Sequence, residues 1–163
     1  MKRTLIVLLI LSVSQLNAQA FKGKGDVKLQ VGAAFQEYAT GIVTTADFGL
    51  GENISIGGSV SYLLNTTEAI GTPKFDDRFD AKIRFNANIG NVVNISEKFD
   101  LYPGLNLGLR NFGAHIGARY FFTSGFGVYS EAGFPLAKYK PDAVGYERLN
   151  NQFVFQIGAT FNL

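Results

Sequence analysis

The charged side chains of this 163-residue chain fall at alternate positions within segments that are otherwise apolar. The sharpest case is Asp80, Lys82 and Arg84, which alternate with Ala81 and Ile83. Because successive side chains of a β-strand point to opposite faces, this spacing places the charges on one face. Such a face can form an ion path, a binding site or a network of paired charges. The same alternation assigns a larger set to it: Lys28, Asp47, Asp80, Lys82, Arg84, Arg110, His115, Arg119 and Glu131.

A catalytic interpretation of this polar face needs a nucleophile, a base and an acid side by side. His115 is the single histidine, and the chain has no cysteine. The alternation puts Ser130 on the opposite face from His115 and Glu131, which separates the candidate nucleophile from the other two. One histidine without thiolates also argues against a transition-metal site. We therefore predict no catalytic, cofactor-binding or metal site and, at a net charge of +2, no nucleic-acid partner.

Residues 151–163 show what kind of strand carries the polar face. Their odd positions are apolar from Phe153 to Leu163, and their even positions are polar or small except for Val154. A strand with two such faces separates two environments, and its length suits the roughly 9–11 residues that cross a bilayer at a tilt. The recurring pattern predicts strands at about residues 26–36, 42–51, 54–64, 79–90, 99–110, 114–122, 126–137 and 151–163.

The connections between these strands are predicted to be unequal. Tight turns at residues 51–53 and 123–125 lie at one end, and long charged loops at residues 65–78 and 138–150 lie at the other. Aromatic residues occur near both ends of the apolar faces. Both features are typical of outer-membrane barrels, which have short periplasmic turns, longer outer loops and two aromatic girdles. The fold class predicted is all-β: an eight-stranded antiparallel up-and-down transmembrane β-barrel.

The N-terminal residues 1–20 have the features of a secretory signal peptide. Lys2 and Arg3 precede an apolar run from Leu5 to Leu11, and Ala18-Gln19-Ala20 matches a small-x-small cleavage site. The apolar run is too short to cross a membrane as a helix. We predict cleavage of residues 1–20 and one barrel domain over residues 21–163, in which residues 21–25 are a flexible lead-in.

The polar face is predicted to be the inside of the barrel. The interior of an eight-stranded barrel is just wide enough for side chains to fill it, and buried charges must pair. We therefore predict a plug of paired charges, in which Arg119 reaches Glu131 across the turn at residues 123–125. The soluble alternative is a lipocalin-like barrel with an apolar interior. The charges and glycines of the polar face and the aromatic girdles of the other face argue against it.

The chain resembles the small eight-stranded outer-membrane barrels of the OmpA, OmpX and OmpW type. Those proteins usually end in Phe, whereas here Phe161 lies two residues before the last residue, Leu163. The stretch His115–Phe134, HIGARYFFTSGFGVYSEAGF, is similar to a hairpin of small barrel proteins from Bacteroidetes-type bacteria. The resemblance implies a fold and a location in the outer membrane, and it carries over no substrate and no catalytic residue.

These patterns favour an integral outer-membrane protein with a plugged polar lumen and a structural or surface-interaction role. A narrow, porin-like channel for small solutes is the alternative, and a membrane-embedded enzyme is the third possibility. The expected partners are outer-membrane lipid and lipopolysaccharide, together with the barrel-assembly machinery that would engage the C-terminal strand. We expect a monomer.

Overall fold

The computed structural model describes residues 19–163, which form a closed barrel of antiparallel strands. Each strand pairs with the next in sequence, and β1 pairs with β8 to close the barrel. The strands are β1 (Val27–Gln36), β2 (Ala39–Gly49), β3 (Ile54–Thr66), β4 (Phe79–Ala87), β5 (Phe99–Gly108), β6 (Asn111–Phe121), β7 (Phe126–Lys138) and β8 (Val154–Asn162). The predicted fold class is confirmed. Apart from Gln19 and Ala20, the predicted signal peptide lies outside the described residues.

The two faces of each strand differ as the alternation requires. On β6, His115 and Arg119 are buried, whereas Ile116 and Tyr120 are exposed. The outward face is a continuous apolar surface, with exposed fractions of 63% at Ile83 and 49% at Ile157. An apolar outside around a polar inside is the arrangement of a barrel whose outer wall faces lipid.

Aromatic rings gather at both ends of this outer wall. At the turn end, Phe126 packs against Phe122 and Phe161, with ring centroids 6.2 and 5.7 Å apart. At the loop end, Phe75 lies 5.3 Å from Tyr62 and stacks on Phe79 at 5.8 Å. Phe75 comes from a loop rather than a strand, so the loop-end aromatic cluster is larger than strand alternation predicts.

Several strand ends differ from the prediction by a few residues. Strand β2 begins at Ala39 rather than at residue 42, because β1 and β2 are joined by Glu37 and Tyr38 alone, with Tyr38 at φ 66°. Strand β8 begins at Val154, since the preceding residues belong to the loop. Pro103 lies within β5, and the pairing of β5 with β4 stops at Gly104, so its missing N–H falls just beyond that ladder.

The long loops carry short helical segments. The β3–β4 loop holds a 3₁₀ turn (Glu68–Ile70) and helix α1 (Phe75–Arg78), and the β7–β8 loop holds a second 3₁₀ turn (Gly145–Arg148). At the turn end, the β4–β5 connection holds helix α2 (Gly90–Val93). No helix within residues 19–163 combines the length and apolar composition needed to span a bilayer.

The segment that was predicted to be a flexible lead-in is instead packed beneath the barrel. The Gly25 N–H donates to the Gly49 carbonyl at 2.9 Å, and the Lys22 N–H donates to Asp26 at 3.3 Å. Just before it, Ala20 is buried against Phe121. The chain therefore closes the turn end of the lumen before it enters β1.

Candidate functional site: the barrel lumen

A bidentate charge pair in the lumen joins β4 to β7. Arg84 donates to both carboxylate oxygens of Glu131, at 3.2 Å from Nη1 and 2.7 Å from Nη2. Both side chains are nearly fully buried. The predicted pairing of Glu131 with Arg119 is therefore wrong. Glu131 lies opposite Gly117 on β6. Arg119 lies opposite Tyr129, two residues nearer the β6–β7 turn.

Arg119 pairs instead with Asp100, its partner directly across the β5–β6 ladder. Its Nε and Nη2 lie 3.0 and 2.9 Å from the Asp100 Oδ2, and Nη2 also donates to the Asn88 side chain at 2.6 Å. Asp47 lies between the two arginines, 3.2 Å from Arg84 Nε and 3.8 Å from Arg119 Nη1. We call Asp47, Arg84, Asp100, Arg119 and Glu131 the central network.

A tyrosine separates the two arginines of the central network. The guanidinium carbons of Arg119 and Arg84 lie 4.4 and 5.8 Å from the Tyr102 ring centroid, within cation–π range. The Tyr102 hydroxyl accepts a hydrogen bond from Gln30 at 3.1 Å. Tyr102 is fully buried, so this ring and the two guanidinium groups fill the cross-section of the lumen.

His115 lies at the edge of the central network. Its Nε2 lies 3.1 Å from Arg84 Nη2 and 2.8 Å from the Asn86 Oδ1, and its Nδ1 lies 3.2 Å from the Asn106 side-chain nitrogen. Ser130 lies on the outward face, across the barrel wall from His115 and Glu131. This geometry separates His115 from Ser130, the candidate nucleophile that strand alternation assigned to the opposite face.

At the turn end, Lys28 closes the lumen. It pairs with Asp26 and donates to the Asn162 side chain. Its Nζ lies 5.4 Å from the Phe121 ring centroid and 5.8 Å from that of Phe21. This end is thus sealed by an ion pair and two aromatic rings.

Toward the loop end, the charge pairs are longer, and each has at least one partly exposed partner. The Lys82 Nζ lies 3.6 Å from Asp80 Oδ2, and the Lys82 side chain is 24% exposed. Arg110, in the tight connection between β5 and β6, lies 3.7 Å from Asp77 of the β3–β4 loop. We call Asp80–Lys82 and Arg110–Asp77 the loop-side pairs.

A cavity of about 20 Å³ lies between the central network and the loop-side pairs. Its walls include Lys82, Glu131, Asn106 and Gln156. The side-chain oxygens of Asn106 and Gln156 are buried and have no partner in the protein. The volume suits about one water molecule, which would supply those missing hydrogen bonds.

The β7–β8 loop covers the mouth above this cavity. Leu149 is buried against Ala39 and Leu63. The next residue, Asn150, has φ 60° and ties the loop to the rim. Its backbone N–H donates to Gln36 at 3.0 Å, and its carbonyl accepts from Asn111 at 2.9 Å. We call Leu149 and Asn150 the mouth cap.

Glycines provide the room for the large lumen side chains. Gly117 lies opposite Tyr102 and Gly104 lies opposite His115 across the same β5–β6 ladder. A Cβ at Gly117 would overlap the Tyr102 ring, and a Cβ at Gly104 would press on the His115 ring. Gly104 and Gly117 therefore complement specific neighbours, which the sequence alone does not indicate.

The structure places every predicted polar residue inside the barrel or at its mouth, and it adds residues that strand alternation did not assign. Asp26 and Asp100 balance Lys28 and Arg119. Both occupy inward-facing positions in the alternation of their strands. They lie at strand ends, however, and predicted strand boundaries vary by one or two residues. Among residues 19–163, no three His, Cys, Asp or Glu side chains converge as a metal site.

The closed eight-stranded wall has the fold of known β-barrels, including a designed transmembrane barrel. A designed transmembrane β-barrel matches with a TM-score of 0.60 at 11% identity, covering 87% of this chain and 98% of the design. The N-terminal β-barrel domain of Pseudomonas aeruginosa OprF matches with a TM-score of 0.58 at 10% identity, covering 87% of this chain and 100% of that domain. At such identities the likeness shows the fold alone.

The chain belongs to a family of unknown function, DUF6646, whose family model matches residues 11–163. The solution structure of the designed barrel TMB2.3 also matches, with a TM-score of 0.50 at 12% identity over 87% of this chain and 97% of the design. No curated protein matches the sequence.

Proposed function

We propose that this protein is an integral outer-membrane barrel with a plugged lumen, and that it acts as a structural or surface-interaction protein. The observation that carries the proposal is the central network. Its arginines and carboxylates are almost completely buried and contact one another across the full width of the lumen. A buried ion pair is tolerable only while each charge keeps its partner, so this network resists hydration and ion passage.

Both ends of the lumen support the same proposal. Lys28 and Phe121 fill the turn end, and the mouth cap covers the loop end. The loop-side pairs are better hydrated, but the space around them ends at the central network. A path for solutes would need both the mouth cap and the central network to move, so a narrow channel is the less favoured function.

The outer wall supports a location in the bilayer. Its apolar surface lies between two aromatic clusters, and its strands of 9–13 residues are long enough to cross the hydrocarbon core. The partners this implies are outer-membrane lipid, lipopolysaccharide around the loops, and the assembly machinery that would engage the C-terminal strand. We propose no enzymatic activity and a monomeric state.

Two measurements test the proposal. Cell fractionation should recover the protein with outer membranes, and unheated samples should migrate differently from boiled ones on gels, as folded barrels do. The purified protein should then give no discrete conductance in planar bilayers, with a general porin as a positive control and protease protection as proof of insertion. Steady single-channel conductance would favour the channel, and recovery as a soluble monomer without detergent would contradict the membrane location.

A further inference from the structure

The residue just before the predicted cleavage point is part of the folded barrel. Ala20 is 1% exposed and packs on Phe121, which fills the turn end of the lumen. Its N–H donates to the Glu97 carbonyl at 2.7 Å. Cleavage after Ala20 would remove this contact and the hydrogen bond from the mature protein.

The positively charged α-amino group created by cleavage also distinguishes the two possible cleavage sites, after Ala18 and after Ala20. A new chain end at Phe21 would carry an ammonium group on a half-buried residue whose ring lies 5.8 Å from the Lys28 Nζ. Like charges in the same region of the protein are unfavourable. A new end at Gln19 would instead lie in solvent, because Gln19 is exposed.

We propose that the signal peptidase cleaves between Ala18 and Gln19, so that the mature chain begins at Gln19. Ala20 then remains in the mature protein and packs against Phe121 at the turn end of the lumen. The inference rests on the proposed export of this protein. Ala18 provides the small residue that the peptidase requires immediately before the cut, and Leu16 takes the third position before it, where the small-x-small motif has a small residue. The reaction is hydrolysis of that one peptide bond by water, which leaves an α-carboxylate on Ala18 and an α-amine on Gln19.

Intact-mass spectrometry of the protein from outer membranes tests the proposal directly. The expected mass corresponds to a chain from Gln19, heavier than a chain from Phe21 by one glutamine and one alanine residue. Mass spectrometry is preferable to Edman sequencing, because an N-terminal glutamine can cyclise with loss of ammonia and block the chemistry. The cyclised chain also counts as support. A mass corresponding to a start at Phe21 would overturn the proposal, as would any other start.

Two substitutions in the full-length precursor give an independent test. Ala20→Leu should be processed normally, should retain leucine in the mature chain and should lower the urea midpoint, because the buried site has no room for it. Ala18→Leu should leave unprocessed precursor, since leucine would occupy the position before the cut. Ala20→Leu is the variant that discriminates, because cleavage after Ala20 predicts that this substitution abolishes processing, whereas Ala18 belongs to the recognised site in either case.

A control variant and the wild type separate the two proposals. Lys24→Leu changes an exposed residue of the same segment and should alter neither processing nor the midpoint. Wild-type protein that starts at Phe21 in the outer membrane would overturn only the cleavage position. Wild-type precursor that stays uncleaved in the cytoplasm would overturn this inference and the proposed export together.

Discussion

The central network and the loop-side pairs lie in one lumen but differ in how strongly each charge depends on its partner. Arg84 and Glu131 form a bidentate contact with almost no exposed surface. Lys82 and Asp80 are 3.6 Å apart; the Asp80 side chain is buried, whereas the Lys82 side chain is 24% exposed. In the central network, loss of one partner leaves the other charge buried without solvent. In a loop-side pair, water can take the place of the lost partner. The same residue types therefore stabilise the barrel to different degrees, depending on depth.

The largest expected effect is that of Glu131→Gln, which leaves Arg84 facing a neutral partner. We expect the free energy of unfolding in liposomes to fall by about 3–5 kcal/mol, the usual cost of breaking a buried pair. Asp80→Asn makes the same chemical change in a loop-side pair and should cost about 1 kcal/mol or less. Urea titration of both variants measures the difference. An unchanged midpoint for Glu131→Gln, with a shifted ion selectivity, would refute the plug and favour the channel.

A second comparison uses adjacent residues on the two sides of β8. Ile157→Arg places a charge in the outer apolar wall and should cost about 2–4 kcal/mol near the bilayer centre. Gln156→Arg places it on the inward face, beside the cavity and directly opposite Glu131 in the β7–β8 ladder, and should be milder. Folding yield in lipid and the urea midpoint are the measurements. If Gln156→Arg proved more damaging, the loop side of the lumen would be as dry as the central network.

Steric fit provides a third comparison. Gly117→Ala places a methyl group into the Tyr102 ring and should destabilise by about 1–3 kcal/mol, the usual range for overpacking. Gly133→Ala is the matched control, because the atom nearest to its added methyl group lies 3.8 Å away. Thermal or urea denaturation of the two variants should separate them. Equal stability would mean that Tyr102 can move, and that the centre of the lumen is not tightly packed.

The mouth cap should give the smallest effect. Asn150→Ala removes its side-chain hydrogen bonds and places alanine at φ 60°, which costs about 1–2 kcal/mol in that conformation. Asn150→Gly removes the bonds but keeps the backbone conformation accessible, so it should retain more stability. Limited proteolysis of the β7–β8 loop reports the change locally. Identical cleavage of both variants and wild type would show that Asn150 does not hold the loop.

The facing of the strands follows from the sequence because alternation depends only on local geometry. The partner of Glu131 does not, since β4 and β7 are not neighbours in the barrel. Which side chains meet across the lumen is set by the stagger of the closed sheet. Arg119 was the nearest candidate on an adjacent strand, yet its actual partner, Asp100, lay just past the inward positions assigned to β5. The packed segment around Ala20 was missed because its charges and glycines are typical of a mobile tail.

The pairing of large side chains with glycines bears on how the strands find their alignment during assembly. A slip of one residue turns every side chain to the wrong face. A slip of two keeps each side chain on its proper face, so hydrophobicity alone would not reject it. On β5 and β6, however, such a slip would move Tyr102 from Gly117 to His115 or Arg119. The steric overlap makes the misaligned hairpin unfavourable. The glycines opposite large side chains therefore favour the correct register in a barrel assembled from eight similar strands.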